Sequence, residues 1–271
     1  MAKPVKDEIF GTRNSVLKPR LDVAVFANIF FATCLRRINP DPASRYMLLR
    51  ECASPEEYED PGFRGILPFF QPGIRIGNVH FAQDGIRVNN VRNREKAHHF
   101  PDTAIFARAL LGFLKCTAGP LQPSRARVIE NDAVSPLSRL LRAETFGRTG
   151  STDVDFLILN RTRRRLIFLE EKLYLDEQGG SLGHGQYLSF REIIGDAFVP
   201  AMREQVFFYL LFFPDTAGER VFVYDFRREW SLPRRTPAFT DPQRREQRIR
   251  FPFPDMQETT VSNFLGREIF G

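Results

Sequence analysis

The stretch Asp153–Lys172, DVDFLILNRTRRRLIFLEEK, restricts this chain more than any other. It reads as two apolar strands joined by a basic turn, with acids where the first begins and Glu-Glu-Lys where the second ends. Side chains on a strand alternate between faces, so Asp153 and Asp155 share one face, and Glu170 and Lys172 share one too. Residues from Phe156 to Leu159 and from Leu166 to Leu169 are apolar at both parities. Such strands belong inside a sheet covered on both sides, which points to an α/β or mixed α+β fold class. Acids and a lysine at the ends of buried strands are costly unless they pair with each other or hold a cation.

The rest of the chain narrows the setting. Its 271 residues are enough for a sizeable core. The net charge of +6 and pI near 9.5 are carried mainly by arginine and suit a polyanionic partner. Arginine meets phosphate with a planar fork that lysine lacks. The cysteines Cys34, Cys52 and Cys116 lie far apart with no CxxC pair. That spacing argues against a disulfide framework or zinc ribbon and suits a reducing compartment. Val23 to Leu35 is too short to span a bilayer and shows no convincing signal peptide, so a soluble, cytoplasmic protein without a membrane partner is expected.

Taken in order, residues 1–20 are polar and basic. A helix is expected from Leu21 to Ile38, stopped by Asn39-Pro40-Asp41-Pro42. Alternation between Ile74 and Val91 predicts a meander, with Gly77-Asn78 and Asp84-Gly85 as turn pairs. Asp102 to Thr117 reads as a helix, and Ser135-Pro136 starts another that runs to about Phe146. Gly179 to Gly185 reads as a glycine-rich loop, Pro200 to Phe213 as a helix and Glu219 to Phe226 as a strand. These patterns divide the chain into an N-terminal α+β region (1–130), a core (131–230) and an arginine-rich arm (231–271).

The order helix, strand with an acid, strand with Glu-x-Lys, then Gln205-Val-Phe-Phe-Tyr209 resembles the PD-(D/E)XK nuclease superfamily. "TDVDFLIL…LIFLEEKL" is similar to its acid-and-ExK hairpin, and Gln205 with Tyr209 to the QxxxY element of RecB-type members. The resemblance covers roughly residues 135–226 and lacks the family's proline before the aspartate. It implies a restriction-endonuclease-like core with an N-terminal α+β extension. It further implies Mg²⁺, with Mn²⁺ as a substitute, held by Asp155, Glu170 and the backbone carbonyl of Glu171, with Glu144 or Asp153 as a further ligand. Lys172 would orient or activate the attacking water, and Gln205 would support the ligands. The implied partner is double-stranded DNA, cut by a restriction or defence enzyme that works as a homodimer. A RecB-type repair nuclease and a non-catalytic nucleic-acid-binding protein are the rivals. Arg161, Arg163, Arg164 and Arg165 form either a solvated hairpin tip or a phosphate contact. Arg234, Arg235, Arg244 and Arg245, near Trp230 and Phe239, mix charge with stacking surface as nucleic-acid surfaces do.

Overall fold

Aromatic and β-branched residues dominate the apolar runs, and strands dominate the structure they build. A computed structural model describes residues 22–34, 36–93, 96–116, 135–143, 149–172, 175–214, 219–242 and 246–271. The chain is mixed α+β, with mixed sheets and several helices. It divides into two units. The amino-terminal unit is Phe26–Val154 with Asp196–Met202. The carboxy-terminal unit is Asp155–Gly195 and Arg203–Gly271 with the described part of Met1–Val25.

In the amino-terminal unit the strand order is β1 (Val23–Cys34), β2 (Tyr46–Cys52), β3 (Arg75–Ala82), β4 (Gly85–Asn90), β5 (Ala97–Phe100). Strands β2 and β3 run parallel, and the other neighbours are antiparallel. The parallel step is bridged by the short helix α1 (Pro55–Glu59) and a 3-10 turn, Pro61–Phe69. Helix α2 (Thr103–Phe113) starts where the sequence predicts, because the Asp102 side chain accepts from the Ile105 N–H at 2.8 Å. Its Phe106, Leu110 and Leu111 pack with Leu49, Val79 and Val88 of the sheet and with α3 (Pro136–Ala143).

Two expectations fail here. The run VAVFANIFFATC is strand β1, not a helix, and Ile29 lies opposite Arg50 of β2. A short run that is apolar at all but Asn28 and Thr33 satisfies both periods, and tertiary pairing decided for the strand. Gly77-Asn78 is not a turn but lies inside β3, whereas Asp84-Gly85 does turn the chain between β3 and β4. The cysteine reading also changes: Cys34 at the end of β1 and Cys116 after α2 are joined in a disulfide, and Cys52 is free and buried. This pairing removes the argument from scattered cysteines for a reducing compartment.

The carboxy-terminal unit has the order β14 (Gln257–Thr260), β11 (Arg220–Asp225), β10 (Val206–Phe212), β7 (Arg165–Lys172), β6 (Thr149–Asn160). Strands β6 and β7 are the antiparallel hairpin the sequence predicts, with Phe156 opposite Leu169 and Asn160 opposite Arg165. Its tip closes on Arg164, whose φ is 53° and whose N–H donates to the Arg161 carbonyl at 3.3 Å. β10 runs parallel to β7, and between them the chain passes through β8 (Leu175–Asp176), β9 (Gly179–Gly183) and helix α4 (His184–Asp196). The helix expected over 200–213 is instead a 3-10 turn, Pro200–Gln205, followed by β10. Seven residues rich in phenylalanine and leucine fit the buried middle of a parallel sheet as well as a helix core.

The glycine-rich segment is not a loop either. It is buried as β9, in a small sheet ordered β12 (Phe239–Asp241), β13 (Glu246–Pro252), β9, β8. A Cβ on Gly180 would lie 2.5 Å from the Phe212 ring, so only glycine lets β9 rest on β10. Among the described residues, no helix is long and apolar enough to cross a membrane.

Candidate active site

The hairpin register decides which side chains meet. Phe156 pairs with Leu169, and the next residues along the two strands are Asp155 of β6 and Glu170 of β7, which alternation turns to the face opposite that apolar pair. Lys172 follows Glu170 on the same side, and the parallel partner β10 continues that face with Phe208, Leu210 and Phe212. Helix α4 covers it: the Phe190 ring lies 4.5 Å from that of Phe208, which stacks at 5.7 Å on Phe168. The other face carries Ile167, Leu169, Tyr209 and Leu211 against helix α5 (Val261–Phe264) and the turn after it.

Glu170 is fully buried, and Lys172 nearly so. Lys172 Nζ donates to Glu170 Oε1, and Gln186 Nε2 in the first turn of α4 donates to the same oxygen at 2.8 Å. Asp155 Oδ2 accepts from the backbone N–H of Glu171 at 2.7 Å. The contribution of Glu171 seen here is therefore its N–H, and its side chain, by alternation, points to the opposite face. A buried carboxylate–ammonium pair is weak evidence of net stabilisation, because desolvation offsets most of the attraction. Removing one partner nevertheless costs about 3–5 kcal/mol.

Gln205 is not part of this group. Val206 pairs with Leu166, so Gln205 lies beyond the far end of β7, on the order of 16 Å from Glu170 at about 3.3 Å per residue. Its Oε1 is buried without a hydrogen bond among the described residues. Tyr209 lies on β10 rather than on a helix with Gln205, and its hydroxyl donates to Glu268 Oε2 at 2.8 Å on the α5 side. Sequence reasoning missed Gln186 because the segment before it reads as loop. The spacing of Tyr187, Phe190 and Ile194 was the available signal, since it is an apolar helical stripe. Asp153 lies two residues before Asp155 on β6, at the end that belongs to the amino-terminal unit. Glu144 lies outside the described residues.

The proposed phosphate contacts separate into two kinds. Arg161, Arg163, Arg164 and Arg234 are exposed. Arg165 lies over Phe207 with 4.7 Å from its guanidinium carbon to the ring centre. Arg235 is held internally: its Nε donates to Glu229 Oε1 at 2.8 Å and its Nη2 to Asp255 Oδ2 at 3.1 Å. Glu229, fully buried, also accepts from Tyr187 at 2.9 Å and from Tyr224. Burial by itself lowers the Arg235 pKa, but the bond to Glu229 and the nearby Tyr224 outweigh it and hold the group above its ordinary value. Tyr224 is pushed up by burial first and by Glu229 next. Arg244 and Arg245 lie outside the described residues.

Hard oxygen donors are what Mg²⁺ takes, and it retains several waters, so Asp155 and Glu170 together fit its chemistry as a partial set. Among the described residues, no three His, Cys, Asp or Glu side chains converge as a ready-made metal site. Comparison with protein-family models, curated proteins and solved structures finds no match to this chain.

Proposed function

We propose that this chain is a Mg²⁺-dependent nuclease that hydrolyses phosphodiester bonds in double-stranded DNA, with Asp155, Glu170 and Lys172 as its catalytic group. One observation carries the reading: Asp155 accepts from the Glu171 N–H just beyond the Phe156–Leu169 pair, and Lys172 and Gln186 both donate to the neighbouring Glu170. The passage from β7 through α4 to the parallel strand β10 supports a restriction-endonuclease-like core, because it sets a helix against the face that bears the acids. A bound Mg²⁺ would polarise the phosphodiester and lower the pKa of a water. Asp155 and Glu170 would hold it, with the Glu171 N–H fixing the orientation of Asp155. Lys172, drawn to Glu170, brings positive charge to where the phosphate gains negative charge. Gln186 keeps Glu170 in one rotamer and takes the supporting part that the sequence assigned to Gln205. A restriction or defence role and homodimeric action belong to the same proposal.

The RecB-type alternative loses its support, since Gln205 and Tyr209 do not share a helix. A non-catalytic nucleic-acid-binding reading is favoured by one observation, the complete burial of Glu170 beneath Lys172 and Gln186. Supercoiled plasmid incubated with Mg²⁺ separates the two readings. Wild type is expected to nick it, EDTA to stop the nicking, and Asp155→Asn and Lys172→Met to reduce the rate at least about 100-fold while circular dichroism reports folded protein. Equal nicking by wild type and Asp155→Asn ends the nuclease reading, and salt-sensitive binding without cutting establishes the alternative.

A further inference from the structure

The amino-terminal unit holds a cavity of about 480 Å³ that the candidate active site does not use. Register builds its floor. Met47 of β2 pairs with Arg75 of β3, Gly77 with Asn90 of β4, and Val88 with His98 of β5. Alternation places all six on one face of the sheet. The end of α2 supplies a wall, Phe113, whose ring lies 5.8 Å from that of His98. Gly77 adds no side chain to the floor beside Met47, Ile76 and Val88, so the bottom is largely apolar. The volume falls within the range of about 300–1,000 Å³ typical of small-molecule sites.

Three basic side chains line this cavity, and no carboxylate does among the described residues. Lys96 and His98 are exposed at its mouth. Arg75 lies inside, with its guanidinium carbon 5.3 Å from the centre of the Phe113 ring and its Nη1 buried without a hydrogen bond among the described residues. Burial lowers its pKa, in keeping with a desolvated cation. A buried guanidinium donor that lacks an acceptor carries a desolvation cost that a structural arginine normally recovers from an acid or a carbonyl. Arg92 of the same unit does so: its guanidinium donates to the carbonyls of Ile74, Phe70 and Gln71. Beside Arg75, Asn90 uses its Oδ1 for the Arg92 N–H at 2.9 Å, which leaves its amide donors for a guest.

We propose that this cavity binds an organic anion with a flat apolar body, of the chemical class of a nucleoside monophosphate. Arg75 and Lys96 take the phosphate, forked and point-like respectively. The flat body lies on the apolar floor against Phe113 and His98, where aromatic stacking is tolerant of the base. The same chemistry is offered by a free nucleotide and by an unstacked nucleotide of a strand. The inference uses only the amino-terminal unit and stands apart from the nuclease reading.

Isothermal titration of the full-length chain in metal-free buffer tests it, with AMP, dTMP, a 5′-phosphorylated dT trinucleotide and orthophosphate as probes. Wild type is expected to bind a mononucleotide or the trinucleotide at least about 10-fold more tightly than orthophosphate. Arg75→Met and Phe113→Ala should each weaken binding about 10-fold or more, and Lys96→Gln, whose side chain is exposed, serves if either misfolds. Binding of the mononucleotides identifies a free-nucleotide site, and binding of the trinucleotide alone identifies a strand site. No heat from any nucleotide overturns the inference, as does orthophosphate binding as tightly as nucleotide, or unchanged affinity in Arg75→Met and Lys96→Gln. Asp155→Asn should retain the wild-type affinity, so an inert protein in the nicking assay leaves this result readable.

Discussion

Arg235 and Arg75 are both half-buried guanidiniums laid against phenylalanine rings, at 5.2 Å from Phe251 and 5.3 Å from Phe113. There the likeness ends. Arg235, in the carboxy-terminal unit, has Glu229, Asp255 and the Tyr224 hydroxyl around it. Arg75, in the amino-terminal unit, lines a cavity without a carboxylate among the described residues. The same residue type in similar aromatic surroundings is thus a structural pair in one place and an open anion site in the other. Partners, not burial or composition, make the difference, and partners come from elements distant in sequence. The comparison also warns against reading an arginine-rich tail as nucleic-acid surface, since Arg235 is matched to the buried Glu229 and Arg250 to Asp176 at the surface of the same chain.

Matched substitutions break or sharpen this contrast. Arg235→Met leaves the fully buried Glu229 short of its nearest cation and is expected to cost about 3–5 kcal/mol. Trp230, the single tryptophan, lies in the same unit, so urea unfolding followed by its fluorescence reads that loss directly. A shift under about 1 kcal/mol would mean that the Glu229 network carries little of the unit's stability.

Reduction of Cys34–Cys116 comes next. Opening a crosslink across 82 residues is expected to lower the stability of the amino-terminal unit by about 2–4 kcal/mol, checked by thermal melting with and without reductant. Arg75→Met in the same unit should do the reverse of Arg235→Met and raise stability by about 1 kcal/mol, because it removes a desolvated charge that, among the described residues, leaves no acid behind. A loss as large as that of Arg235→Met would place Arg75 among the structural pairs.

The smallest effect is a pH slope. Burial raises the pKa of Glu51 above its ordinary 4.5, although Leu137 donates its N–H to Oε2 at 2.8 Å. The folded protein therefore holds that proton where the unfolded chain has released it. The contribution to stability is complete below about pH 4.5 and is lost as pH rises through the folded-state pKa. Glu51→Gln should flatten that decline in a series of melts taken from pH 4 upward. An unchanged slope would assign the decline to other groups.

Legibility followed local chemistry. Asp102 and Asp84-Gly85 act through hydrogen bonds and backbone torsions within a few residues, and their helix start and turn stand where the sequence puts them. The alternation and charge of Asp153–Lys172 likewise sufficed to place Asp155, Glu170 and Lys172 on one hairpin. The runs 23–34 and 206–212 were unreadable because they are apolar at every phase, so no period separates helix from strand. Gly179–Gly183 looked like loop because glycine has weak intrinsic preference for a strand, and only the Phe212 ring beneath Gly180 explains it. Gln186 was lost with that misreading.

What the sequence determined alone was the acid-bearing hairpin: two strands too apolar to leave a sheet, ending in charges too costly to bury unmatched. Only the tertiary structure decided which groups match them. It turned the expected 200–213 helix into a 3-10 turn and a strand, and set Gln205 about 16 Å from Glu170 along β7. It brought Gln186 from α4 to the Glu170 carboxylate, and among the described residues it left the cavity around Arg75 without an acid. The physical reason is common to all three. A strand's period fixes the face on which a side chain lies, but its neighbours on that face belong to other elements, and their register is set by packing.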